Sequence, residues 1–106
     1  MNPTREQMEL AAKAAGYELS WLWGEALIHV NDASISWNPL NNGDDSQRLQ
    51  VKLRMTVSVG YNLAIAASDT TQNICKTFNP AIPDDDLRAM REAIFLVAME
   101  IGRAMK

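Results

Sequence analysis

The sequence predicts an α+β fold that forms a single domain over residues 1–106. Two segments with the apolar period of a helix flank a middle region in which apolar and polar residues alternate along short stretches. Short turns join these stretches, which indicates a mainly antiparallel sheet of about four to five strands. The chain has 106 residues, of which 47% are hydrophobic and 22% charged, and this composition suits one modest hydrophobic core.

The first helix is predicted over residues 4–15. Thr4 and Gln7 have the spacing of a capping box, and Asn2 is an alternative cap. Gly16 follows where a helix-terminating glycine is expected, because glycine adopts a positive φ without a Cβ penalty. The predicted apolar face of this helix consists of Met8, Ala11, Ala12 and Ala15.

A hairpin is predicted next, because apolar residues alternate over residues 17–23 and again over residues 26–30. Its turn is expected at Gly24–Glu25, and the second strand ends at Asn31. Residues 34–37 form either a further strand or an extended edge.

The middle of the chain contains a loop and a short helix. Residues 38–45 are rich in Asn, Asp, Gly and Pro, each of which favours turns. A helix is then predicted over about residues 45–53, with Asp44, Asp45 or Ser46 as its N-cap. Alternation also begins within this segment, so the change from helix to strand is placed near residue 53.

Alternating residues predict strands at 55–59 and 63–67, separated by a turn at 60–62. Residues 72–78 are expected to form an edge strand. A long helix then opens at Asp84–Asp86 and ends near Ala104, with an acidic start that suits the helix dipole. Its predicted apolar stripe consists of Leu87, Met90, Ile94, Val97, Ala98, Ile101 and Met105, and the basic residues at its end are Arg103 and Lys106.

One segment goes beyond generic pattern: Trp37-Asn38-Pro39-Leu40, then Gly43-Asp44-Asp45, Arg48-Leu49 and Val51-Lys52-Leu53. With the flanking helices at 6–16 and 91–105, it resembles the phage alpha-beta-alpha (ABA) sandwich family of small phage and prophage accessory proteins. The resemblance implies an α/β/α sandwich with helices on both faces of the sheet. It implies no catalytic residues.

Composition argues against several kinds of chemistry. The chain has one Cys and one His, too few for a disulfide framework or a Cys/His zinc site. Cys75 and His29 lie in no nucleophile motif, so no enzymatic activity and no cofactor are expected. A net charge of −3 has the wrong sign for a nucleic-acid-binding domain.

Two further motifs have ordinary structural interpretations. With Gly43 at the sixth position of a calcium loop, Leu40 and Leu49 fall where ligands are required, so that motif is absent. The acidic run Asp84–Asp86 is explained by capping and by the helix dipole.

The first residues of the chain carry charge and no apolar segment, which predicts no signal peptide. The longest apolar run, Ala93–Met99, is too short to span a bilayer, which takes about 20 residues. We therefore expect a protein that acts in the bacterial cytoplasm, without a membrane partner.

The tryptophans are the residues with the most binding potential. Trp21 and Trp23 fall on one strand face, and both are expected to pack in the core, whereas Trp37 begins the loop. The predicted function is non-enzymatic binding of a host or phage protein, with inhibition of a host defence system, as by anti-CRISPR proteins, as its concrete form. The alternatives are a nucleotide-sequestering module and a homo-oligomeric structural phage protein, for which a homodimer is plausible. The predicted partner-binding residues are Trp37, Leu40, Asn41, Asn42, Asp44 and Asp45.

Overall fold

The computed structural model of the chain describes residues 3–30 and 32–105. The alternative cap at Asn2, the strand end at Asn31 and the basic residue Lys106 lie outside the described residues. Three helices and antiparallel strands confirm the α+β class. In chain order the elements are α1 (Arg5–Ala15), β1 (Leu19–Leu22), β2 (Glu25–Val30), β3 (Ala33–Ser36), α2 (Gly43–Lys52), β4 (Thr56–Val59), β5 (Leu63–Ala67), β6 (Ile74–Thr77) and α3 (Asp85–Ala104).

The six strands form two separate antiparallel sheets, in the orders β1-β2-β3 and β4-β5-β6. The sequence predicts about four to five strands in one sheet, so both the strand number and the division differ from the prediction. The division has a local cause: α2 stands between β3 and β4 in the chain and separates the two three-stranded meanders. In the first sheet Trp21 lies opposite Ala26, and Ile28 lies opposite both Leu19 and Ile35.

Helix α1 begins and ends as its sequence predicts. The Gln7 amide donates to Thr4 Oγ1 over 3.1 Å, and the Thr4 amide donates to Gln7 Oε1 over 2.9 Å, which completes the capping box. Gly16 ends the helix with φ +77°, a conformation that favours glycine. All four residues of the predicted apolar face are buried.

Helix α2 begins two residues before the predicted start. Asn42 is its N-cap, because Asn42 Oδ1 accepts the Asp45 amide over 3.1 Å. The predicted caps Asp44, Asp45 and Ser46 therefore lie inside the helix, where the first two place negative charge in the first turn.

Helix α3 is the centre of the fold. Helices α1 and α2 pack against it, and so does the β4-β5-β6 sheet. For this reason α3 is buried on more than the single stripe that the sequence predicts. Its buried residues are Ala89, Glu92, Ala93, Ile94, Phe95, Val97, Ala98, Met99 and Gly102, whereas Leu87 and Met105 of the predicted stripe are exposed.

Gly102 sets the distance between α1 and α3. A Cβ placed on this residue would lie 1.9 Å from the Leu10 carbonyl oxygen and 2.7 Å from its carbonyl carbon. Only glycine permits the two backbones to approach this closely. Among the helices of the described chain, none is long and apolar enough to cross a membrane.

Candidate partner-binding site

Trp23 occupies the turn of the β1-β2 hairpin, one residue earlier in the chain than the predicted turn. Trp23 and Gly24 have φ values of 53° and 78°, the pattern of a type I′ turn. Since Trp23 has left the strand, it does not share a face with Trp21, and its side chain is 94% exposed. The predicted core position of Trp23 is therefore wrong.

The left-handed backbone conformation of Trp23 has an energetic cost. Type I′ turns favour Asn or Gly at both central positions, and a left-handed conformation costs an ordinary residue about 1–2 kcal/mol. A bulky residue with positive φ is uncommon. Trp23 therefore occupies a backbone position that suits Asn, and its exposed side chain does not stabilise the core.

Trp21 lies on the core-facing side of β1 and is half-buried. The Arg5 guanidinium carbon lies 4.7 Å from the centre of a Trp21 ring, within the range of a cation–π interaction. The Trp21 indole N–H is buried, and no acceptor for it exists among the described residues. A buried donor without an acceptor is unusual and calls for an explanation.

A cleft of about 380 Å³ joins these tryptophans to the loop that follows β3. It lies between the first turn of α1, the β1-β2 hairpin and the start of the loop. We call it the Trp cleft and define it by six of its lining residues, which are Arg5, Trp21, Trp23, Glu25, Asn38 and Asn41.

Two of the predicted partner-binding residues, Trp37 and Leu40, are core residues. Trp37 is 2% exposed and packs edge-to-face on Tyr17, with ring centres 6.0 Å apart. Leu40 is 4% exposed, and its carbonyl oxygen accepts the Arg91 Nε–H over 2.8 Å. Neither side chain offers a surface to a partner in this arrangement. The two residues instead attach the loop to Tyr17, which follows α1, and to Arg91 of α3.

The other predicted residues divide into a structural one and three exposed ones. Asp45 is buried, and its Oδ2 accepts the Asn38 amide over 3.0 Å, so that Asp45 closes the loop. Asn41, Asn42 and Asp44 are exposed. Of these, only Asn41 lines the Trp cleft.

Sequence reasoning missed Arg5, Trp21 and Trp23 as members of the site. Only Gly24 offered a signal for the turn, since a glycine after an alternating strand also fits the second position of a type I′ turn. Trp is so atypical of the first position that periodicity assigned Trp23 to the strand instead.

A charged cluster links β6 to α3. Arg88 Nε lies 2.6 Å from Asp85 Oδ1, and Arg88 also pairs with the buried Glu92, whose other oxygen lies 3.6 Å from Lys76 Nζ. The Arg88 guanidinium, followed by the Asn79 amide, lowers the pKa of Asp85 from its ordinary value. Hydrogen bonds with Asp85 and then Glu92 raise the pKa of Arg88. Two positive and two negative groups balance here, which is typical of a structural link.

The one histidine and the one cysteine of the sequence lie in different sheets. Ser34 Oγ lies 3.1 Å from His29 Nδ1 on exposed strands, whereas the exposed Cys75 belongs to the other sheet. The acidic run places Asp85 and Asp86 in the first turn of α3, as the helix-dipole interpretation predicts, but the predicted capping is wrong, because the N-cap residue Asp84 makes no side-chain capping bond. Within residues 3–30 and 32–105, no group of three His, Cys, Asp or Glu side chains could hold a metal ion.

Comparison of the chain with protein-family models, with curated proteins and with solved structures finds no match in any of the three.

Proposed function

We propose that this chain is a non-enzymatic phage or prophage accessory protein that binds a protein partner through the Trp cleft. The observation that carries the proposal is Trp23, a large aromatic residue that is 94% exposed at a left-handed turn position. Strained backbone positions concentrate at functional sites. Tryptophan is among the residues most enriched in binding hot spots.

The energetics favour a contact role for Trp23. A buried Trp ring removes about 150–250 Å² from water, which at about 25 cal/mol per Å² is worth roughly 4–6 kcal/mol before the costs of association. The tight turn fixes the backbone of Trp23, and a Trp side chain has only two χ angles to order on binding. Burial of the Trp23 ring would therefore stabilise the complex with a partner and not the core of the free protein.

The phage assignment rests on the resemblance of the Trp37–Leu53 segment to the phage ABA sandwich family. That assignment, the α/β/α sandwich arrangement and a location in the cytoplasm of a bacterial host are parts of the proposal. Inhibition of a host defence system, as by anti-CRISPR proteins, is its concrete form, because such inhibitors act by binding and need no catalytic residues.

The best test uses Trp23→Asn, because Asn-Gly is the favoured type I′ sequence and the variant retains the turn. We expect this variant to be more stable than the wild type by about 1 kcal/mol, yet to bind its partner about thirtyfold more weakly or worse. Tyr61→Asn is the matched control, since Tyr61 is 84% exposed and lines a different cleft.

Affinity capture from a bacterial lysate, followed by binding measurements on the captured protein, provides the readout. A partner that is held by the wild type and by Tyr61→Asn but released by Trp23→Asn would support the proposal. Equal recovery with Trp23→Asn would exclude the Trp cleft as the binding surface. Phage plating on a host with active CRISPR immunity tests the inhibitor form, which predicts a rise in plaques that Trp23→Asn abolishes.

No observation favours the nucleotide-sequestering alternative. Its stacking groups would be aromatic strand residues next to a helix start, and Trp37, the aromatic residue that precedes α2, has its ring buried against Tyr17. Its phosphate site would be the start of α2, where Asp44 and Asp45 carry negative charge. The homo-oligomeric alternative has no specific contact in its favour.

A further inference from the structure

Arg5 and Trp21 both line the Trp cleft, and both carry hydrogen-bond donors. Arg5 is exposed, forms no ion pair with any carboxylate of the described residues, and lies over the Trp21 ring. The buried Trp21 indole N–H likewise has no acceptor in that part of the chain. Both donors therefore lack a protein acceptor among the described residues.

The one carboxylate that lines the cleft already has a donor. Glu25 Oε1 accepts a short hydrogen bond from Ser36 Oγ, its neighbour on the outer side of the first sheet. The side-chain amide of Asn41 donates to Asn38 Oδ1 over 3.3 Å. Arg5 and the Trp21 indole N–H are thus donors of the cleft that neither Glu25 nor Asn41 engages among the described residues.

We propose that the Trp cleft binds an acidic side chain of the partner, an aspartate or glutamate beside an apolar residue. The carboxylate accepts from the Arg5 guanidinium and from the Trp21 indole N–H, while the apolar neighbour packs on the exposed ring of Trp23. This inference rests on the proposed function, because it specifies the chemistry of a partner bound at the same cleft.

The probes are two capped dipeptides of equal shape, acetyl-Phe-Glu amide and acetyl-Phe-Gln amide. Arginine prefers carboxylates over neutral acceptors because its hydrogen bonds to them are charge-assisted. We expect the Glu probe to bind with a dissociation constant on the order of 1 mM and the Gln probe to bind about tenfold to hundredfold more weakly. Two-dimensional NMR follows the three indole N–H signals, with the Trp21 signal assigned by its loss in Trp21→Phe.

Two variants locate the effect. Arg5→Gln should weaken binding of the Glu probe to the level of the Gln probe. Arg103→Gln is the control, because it removes the same charge from an exposed position near the end of α3 and should change nothing. A third probe, acetyl-Gln-Phe with a free C-terminus, separates an acidic side chain from a terminal carboxylate.

A selective shift of the Trp21 indole signal by the Glu probe, lost in Arg5→Gln, would support the inference. Equal affinity for the Glu and Gln probes, an unshifted Trp21 signal, or tighter binding of the free C-terminus would each overturn it. These results are independent of the capture experiment. A partner that needs Trp23 but no carboxylate would leave the proposed function standing and remove only this inference.

Discussion

The close approach of α1 and α3 at Gly102 leads to a sharp prediction about stability. In Gly102→Ala the new methyl group would stand 1.9 Å from the Leu10 carbonyl oxygen, and the neighbouring atom is backbone that no rotamer change can move. An ordinary van der Waals contact of a Cβ has a separation of 3.4–4 Å, so one helix must be displaced relative to the other. Overpacking of this kind costs about 1–3 kcal/mol and occasionally more.

The opposing term is the helix propensity of alanine, which favours the variant by about 1 kcal/mol. Because the clash is with rigid backbone, we expect the upper part of the overpacking range and a net loss of about 2 kcal/mol. For a chain of this size that loss corresponds to a fall in Tm of about 8 °C or more.

Urea unfolding followed by circular dichroism measures this loss directly. The control is Gly43→Ala at the start of α2, where an added Cβ would meet no atom within 4 Å, so stability should be unchanged or slightly raised. If Gly102→Ala lies within about 0.5 kcal/mol of the wild type, then α1 and α3 do not approach as described and the reasoning is refuted.

Three further predictions concern individual hydrogen bonds. The Asp85→Asn variant loses the ion pair with Arg88. Because the pKa of Asp85 is lower in the folded than in the unfolded chain, the Asp85 carboxylate stabilises the fold at neutral pH. This stabilisation disappears as the pH falls below about 4. Urea midpoints at pH 7 and pH 3 should therefore show a difference from the wild type that narrows in acid, and a constant difference would contradict this. Arg91→Met leaves the Leu40 carbonyl without its donor and should cost about 1–2 kcal/mol by the same unfolding measurement, whereas an unchanged midpoint would mean that the loop needs no tether. Thr4→Ala removes the capping hydroxyl of α1 and should cost about 1 kcal/mol, with most of the loss recovered in Thr4→Ser.

The sequence predicts the type and approximate bounds of most elements because local signals agree there. Thr4, Gln7 and Gly16 mark α1 by side-chain and backbone preferences that depend on few distant contacts. Alternation likewise identifies β4 and β5 to within a residue or two. The division into two sheets is not readable from periodicity, because pairing between strands is a tertiary property.

The candidate site was predicted less well, for a physical reason. Trp37 begins a polar loop that contains Leu40, and from the sequence Trp37 fits either core packing or a partner-binding surface; contacts with distant elements bury both residues. Trp23 was assigned to the core because aromatic residues in alternating segments are usually buried. Its exposure depends on a type I′ turn, which the Trp-Gly pair does not predict because Asn, Asp or Gly usually occupies the first position.

The position of α3 at the centre of the fold has a consequence for how the chain acquires its structure. Both α1 and the β4-β5-β6 sheet bury their apolar faces on a helix that follows them in the sequence. Lys13 Nζ even donates to the Met105 carbonyl, across 92 positions of the chain. During synthesis the earlier elements leave the ribosome before α3, which covers their apolar faces. Cooperative folding therefore requires that α3 has been synthesised. A nascent chain stalled before α3 would present these apolar faces to chaperones and proteases.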